Sequence, residues 1–141
     1  MDRENAKFEK VLNQLREKYG DQVTPVMTPI GSEENFEGII NLVTMRAIYP
    51  TSNEIGNSEN EISSDYKKRA EEYREILMEL VAECDDEMLE KYLESEPLTE
   101  EKVITGVKKF TKLGELVPVL CGSAIQYRYF TIIGLFNLLY T

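Results

Sequence analysis

The chain contains no histidine. That absence removes the side chain whose ordinary pKa lies nearest neutrality, the commonest zinc ligand, and every Ser/His or Cys/His nucleophilic arrangement. Cysteine is almost as scarce, since Cys84 and Cys121 are the only thiols and neither stands in a CxxC pair or at a metal-ligand spacing. Residues 1–20 carry no apolar leader, so the two thiols read as free core cysteines of a reducing cytosol, and a cytoplasmic location is expected. Long apolar runs are missing too. The longest, residues 129–140, falls far short of the ~20 residues that a membrane span needs. Positive charge is also in deficit, with 16 Lys and Arg against 26 Asp and Glu, a net charge of −10. Phosphate backbones and anionic bilayers repel such a chain, so neither a nucleic acid nor a membrane is the expected partner. Tyr127, Arg128 and Tyr129 place a cation between two aromatics, as base stacking would require, but the overall charge opposes that reading. No GxxxxGK[ST] phosphate loop occurs, and carboxylate pairs such as Asp85 and Asp86 sit in polar context without support for a raised pKa. No catalytic residue and no metal ligand is therefore assigned.

What is present is a soluble globular composition, 42% apolar and 30% charged, in 141 residues. One domain, or a small domain with parts of another, fits that length. The chain is organised around residues 63–94. Tyr66, Ala70, Tyr73, Leu77, Leu80, Val81 and Cys84 recur at steps of three and four, the stripe of an amphipathic helix that must be buried. Opposite lie Glu71, Glu72, Glu75, Glu79 and Glu83, continuing into Asp85, Asp86 and Glu87. Ser63 or Ser64 is expected to cap the start. A break is expected near Asp85, where Asp-Asp competes for helical hydrogen bonds, before the apolar phase restarts at Met88, Leu89, Tyr92 and Leu93. The acidity concentrates between residues 65 and 101 and so forms a face. A basic protein is its natural partner, and a solubilising helix surface is the plainer alternative.

In chain order, residues 4–19 set Phe8, Val11, Leu12, Leu15 and Tyr19 on one helical face ended by Gly20. Residues 22–31, QVTPVMTPIG, suit an edge strand because Pro25 and Pro29 cannot donate to a ladder. After a polar loop at 32–36, residues 36–43 and 44–49 read as two antiparallel strands with a turn near Asn41. Residues 50–61 have the composition of a mobile surface loop. Pro97 then closes the central segment and Thr99 caps a further helix, with Leu98 and Val103 spaced as a hydrophobic staple. Val103, Val107 and Phe110 face inward on it, Lys102, Lys108, Lys109 and Lys112 face outward, and Gly114 ends it. Residues 116–121, LVPVLC, carry the pattern of a parallel strand buried on both faces, which needs a larger sheet around it.

The succession NQLREKYG, TPIGSEENFEGIINLVTMRAI, EEYREILMELVAECDDEMLEKYLESEPLTEE and ELVPVLCGSA resembles the family of bacterial elongation factor G, the GTPase that drives ribosomal translocation. The resemblance runs from Met1 to about Ala124 and covers a middle slice of such a factor. It implies an α/β fold, a small mixed sheet with amphipathic helices packed on it, forming part of a translational-GTPase G domain with its G-prime insertion. Residues 1–20 would be a partial GTPase-domain helix, 21–114 the G-prime-like subdomain, and 115–141 the returning strand, guanine loop and a C-terminal helix. That last helix departs from the family, because IQYRYFTIIGLFNLLYT lacks the Asn-x-Gly step expected after Ser-Ala.

Carried over residue by residue, Met1-Asp2-Arg3 resembles the tail of the Asn-Lys-x-Asp motif, with Asp2 the bidentate acceptor for guanine. Ser123 and Ala124 resemble the second guanine motif, whose backbone N–H meets guanine O6. GTP or GDP is thus the implied cofactor of a full-length parent. With the phosphate loop and switches outside the chain, this polypeptide alone is expected neither to bind nor to hydrolyse GTP appreciably. The role implied for the segment itself is contact with the ribosomal stalk protein through Glu72, Glu75, Glu79, Glu83 and Asp86, and a monomer is expected. Glu79, Glu83 and Asp86 follow at i, i+4 and i+7 and read as one line on a helix exterior. Two other identities stay open: a piece of another translational GTPase, such as a release factor or ribosomal protection protein, or a free-standing acidic helical adaptor.

Overall fold

The computed structural model describes residues 7–50, 57–83 and 85–122. Helix α1 (Phe8–Tyr19) is followed by strands β1 (Val23–Pro25), β2 (Met27–Ile30), β3 (Gly38–Asn41), β4 (Arg46–Pro50) and β5 (Asn57–Asn60). Helices α2 (Ser64–Ala82), α3 (Asp86–Leu93) and α4 (Glu100–Leu113) come next, and strand β6 (Val117–Val119) closes the described chain. The fold is mixed α/β, with amphipathic helices packed on small sheets. No helix of the described residues is long and apolar enough to cross a membrane.

Two sheets meet at Val26. The larger is the antiparallel meander β2-β3-β4-β5, and the smaller joins β1 to β6 in parallel, Val23 opposite Val117 and Pro25 opposite Val119. The single edge strand expected over residues 22–31 is therefore two strands in two sheets. Val26 divides them, donating its N–H to the Val119 carbonyl while its own carbonyl accepts from Leu42 N. Proline still sets the edges, since β2 with Pro29 lies at one border of the meander. By pairing, β1 belongs with β6, so the divide between the two sheets falls at Val26.

The β3–β4 reversal follows from Asn41, whose Oδ1 accepts from Val43 N at 2.9 Å. An Asn side chain bonding two residues ahead mimics a backbone turn. Residues 57–60, expected in a loop, instead form β5 against β4, with Tyr49 opposite Ser58. Ladder bonds use only backbone groups, so this polar strand pairs at an edge with Ser58 half-buried and Glu59 and Asn60 exposed. Ile39 and Ile48 lie opposite each other, as do Ile40 and Ala47, and all four are buried. The central strands are thus covered on both faces.

Helix α2 carries the expected stripe, with Ala70, Leu77 and Val81 at 1% exposure or less. Its start differs from expectation. Ser63 occupies the N-cap position but makes no side-chain cap bond, while its carbonyl accepts from Tyr66 N and Lys67 N. Capping works as expected at α4, where Thr99 accepts from Lys102 N; at α3, after the expected break, Asp85 takes the cap position and accepts from Glu87 N. α4 buries Val103, Val107 and Phe110, and Gly114, at φ 75°, ends it. Gly106 lets α4 approach α2 closely, because a Cβ there would lie 2.6 Å from Val81 Cγ1. One apolar cluster joins the sheet residues Met27 and Ile40 and the β3–β4 turn residue Leu42 to Leu77 and Val81 of α2 and Val103 and Val107 of α4.

Two expectations about burial need correction. β6 is not covered on both faces, since Val117 is 42% exposed. A two-stranded sheet has no third strand to shield it. α1 buries Leu12, but Val11 and Tyr19 on the same predicted face are 52% and 54% exposed. Cys121 is a free, buried thiol, and burial pushes its pKa up to about 12. Cys84 lies outside the described residues.

Candidate functional site

Three residue types decide the character of the α2–α3 surface: the carboxylates that point outward, the cations that could neutralise them, and the apolar side chains between. Glu72, Glu75 and Glu79 are exposed on α2, Glu83 is exposed at its C-cap, and Asp86 is exposed in the first turn of α3. All five are exposed, four of them on α2 or its C-cap and Asp86 on α3, so they do not form one helix line. α2 ends at Ala82, and Asp85 takes an extended backbone (φ −152°, ψ 129°) to cap α3. The i, i+4, i+7 phase therefore stops at Glu83, and Asp86 belongs to the next helix.

Three cations near these carboxylates, Arg74, Lys91 and Lys102, are committed elsewhere. Arg74, in the middle of the acidic run, turns inward and donates Nη1 to the Leu42 and Val43 carbonyls at 2.5 and 2.6 Å. Partial burial lowers its pKa, with the Glu100 charge opposing that shift. Lys91 and Lys102 both bind the Glu87 carboxylate, at 2.7 and 3.1 Å. Among the described residues no ion pair reaches Glu72, Glu75, Glu79, Glu83 or Asp86. The last turn of α2 holds no basic residue. Negative charge at a helix C-terminus opposes the macrodipole by about 0.3–1 kcal/mol per charge.

Glu87 is the exception on this surface. Hydrogen bonds from Lys91 and then Lys102 hold its carboxyl at about 2, below the ordinary 4.5. A depressed folded-state pKa means that the contribution is complete above about 4.5 and is lost as pH falls towards about 2. Because Lys102 belongs to α4, acidification is expected to loosen the α3–α4 junction within that window. Amide exchange in α3 measured between pH 5 and 2.5 checks this, and Glu87→Gln is expected to remove the pH dependence while leaving α2 unchanged.

Beside the ridge is a recess of about 460 Å³ lined by Arg74, Met78, Tyr92, Ser95, Glu96, Pro97 and Leu98. Burial raises the pKa of Tyr92, and the Glu79 and Glu75 charges raise it further, with a hydrogen bond to Glu79. The carboxylates and the recess are thus neighbours. Sequence reasoning missed the recess because its walls come from α2, α3 and the α3–α4 link. The available signal was Met78, which lies off the predicted stripe. A second groove, about 750 Å³, runs between α1, the end of β2 and the start of α2, and an Arg69–Glu9 ion pair of 3.0 Å joins two of its lining residues. Leu15, Tyr19, Val23 and Val117 to Leu120 line a third, more apolar one beside β1 and β6.

Asp2, Ser123 and Ala124, the residues that the resemblance assigns to guanine, lie outside the described residues, as do Tyr127, Arg128 and Tyr129. Among the described residues no cluster of three His, Cys, Asp or Glu side chains could hold a metal ion. No family model matches the sequence. The fold is similar to that of a Thermus thermophilus protein of known crystal structure, with a TM-score of 0.79 and 23% identity over 95% of this chain. The match spans 20% of that protein's length, so the α/β arrangement described above also occurs as one part of a much longer chain.

Proposed function

We propose that this chain is a segment of an elongation-factor-G-like translational GTPase, and that its own task is to dock the ribosomal stalk protein through the α2–α3 surface. The carrying observation is the charge of that surface: five exposed carboxylates that no ion pair among the described residues reaches, with Arg74 turned inward and Lys91 and Lys102 held by Glu87. Helix stability does not account for Glu79 and Glu83, which stand at the negative end of the α2 dipole. An exposed anionic ridge speeds encounter with a basic patch and needs no large dry interface. The partly exposed strand β6, with Val117 42% exposed, supports the parent reading, because parallel sheets are stable when further strands and helices cover them. In such a parent, Asp2, Ser123 and Ala124 would contribute to the guanine pocket, and GTP or GDP would be held mainly by phosphate contacts made elsewhere.

The test is a chemical-shift titration of the labelled chain with the stalk protein's C-terminal domain, at low and physiological salt, with GDP added separately. Shifts over residues 72–86 that weaken with salt are expected, with none from GDP. Replacing Glu72, Glu75 and Glu79 by Gln together is expected to slow association about tenfold, within the range that electrostatic steering supplies. A folded sample that shows no shift with the stalk domain would overturn the docking role.

A further inference from the structure

The ridge explains encounter, but exposed charges alone hold a partner weakly. Short-range affinity at interfaces comes from apolar anchors seated in pockets. The recess between α2, α3 and the α3–α4 link has the features of such a seat. Met78, Tyr92 and Leu98 are only partly buried, although all three border the core or its helices.

The wall of the recess is held in place by backbone bonds. Ser95 sits at φ 61°, the left-handed region usually given to glycine at a helix end. Ser95 N donates to Tyr92 O at 3.0 Å and Glu96 N to Lys91 O at 2.9 Å, the two bonds that lock a left-handed helix terminus. A wall set in this way does not have to order itself when a side chain enters, which lowers the entropic cost of binding.

Charge selects the occupant. Glu75 and Glu79 act on Tyr92 and Glu96 lines the recess, while Arg74, the only cation among its described lining residues, is engaged by carbonyls of the β3–β4 turn. We propose that this recess receives an apolar anchor side chain from a basic amphipathic helix of the docking partner, with that helix's Lys or Arg residues meeting Glu75, Glu79 and Glu96. The inference rests on the docking reading above and adds the position of the anchor. The two features then divide the kinetics: the ridge sets the association rate and the recess sets residence time.

The experiment uses the full chain with methyl-labelled methionine and leucine, titrated with the stalk protein's C-terminal domain, and stopped-flow kinetics on variants. Saturable shifts of the Met78 and Leu98 methyl signals are expected. Tyr92→Ala is expected to raise the dissociation rate about tenfold with association and its salt dependence unchanged, whereas Tyr92→Phe, which keeps the ring wall, stays within about twofold of the parent chain. Met78, observed in the unsubstituted chain, keeps the test independent of any folding defect in the Ala variant. Ridge amide shifts without movement of the Met78 and Leu98 methyls would overturn the anchor seat and leave the docking role intact. No binding of the stalk domain at all would overturn both.

Discussion

Leu77→Ala is expected to lower the unfolding free energy by about 3 kcal/mol, the middle of the range for truncating a buried leucine. Leu77 has no exposed surface and shares one cluster with Met27 and Ile40 of the sheet, Leu42 of the β3–β4 turn, and Val103 and Val107 of α4. Removing its branched end forfeits the transfer energy of those carbons. The void left behind adds to the loss, because a sheet and two helices held by separate bonds cannot all close on it. α2 packs against α3, α4 and β1, so the penalty reaches every layer of the fold. With total stability of a domain this size at roughly 5–15 kcal/mol, a loss of that order is a large share. Urea unfolding followed by far-UV circular dichroism measures it, and a change below about 1 kcal/mol would show that the site collapses freely. Since Leu77 faces away from the ridge, stalk-domain binding by the folded fraction is expected to persist.

Gly31→Ala is the second large effect, and its cause is steric. Gly31 has φ 76°, and a Cβ placed there would lie 1.8 Å from the Asn35 carbonyl oxygen and 2.8 Å from its carbon. Backbone cannot rotate aside as a side chain can. The left-handed conformation alone costs a residue with a Cβ about 1 kcal/mol, and the collision requires residues 32–35 to move as well. That movement pulls on Phe36, 2% exposed in the core, and on the 2.9 Å bond from Glu37 N to Ile30 O that closes β2 against the loop. The expected loss is about 3 kcal/mol, or a fall of roughly 10 °C in the melting temperature. A melting temperature unchanged in Gly31→Ala would mean that the turn has another conformation available.

The two effects differ in how visible they were beforehand. Leu77 stood on a stripe of apolar residues, and its burial follows from the 3.6-residue period. Gly31 was a glycine at the end of a proline-interrupted stretch, and nothing local announced that the Asn35 carbonyl would return to within contact of it. The same contrast runs through the fold. The helix break at Asp85, the cap at Thr99, the stop at Gly114 and the turn after Asn41 were legible, because each depends on bonds spanning only a few residues. The strand Asn57–Asn60 was not, because its sequence is polar and its pairing is made by backbone alone.

For the candidate site, the exposed carboxylates were legible as the face opposite the stripe, and Asp86 was misplaced only because one helical phase was carried across the break. The commitment of Arg74 to carbonyls on a strand turn could not be read, as Glu71, three residues earlier on the same helix, offered a partner by spacing alone. Only packing decides that competition: a guanidinium at the helix–sheet boundary meets carbonyls of Leu42 and Val43 that have few other donors.

By itself, the sequence determined where helices begin and end, which face of α2 is buried, and that the outer face is anionic, since periodicity and capping act over one or two turns. The tertiary structure alone decided that Val23–Pro25 pairs with Val117–Val119 and that Met78, Tyr92 and Leu98 border one recess. Those contacts join residues far apart in the chain, and their partners are chosen by packing geometry that no local pattern encodes.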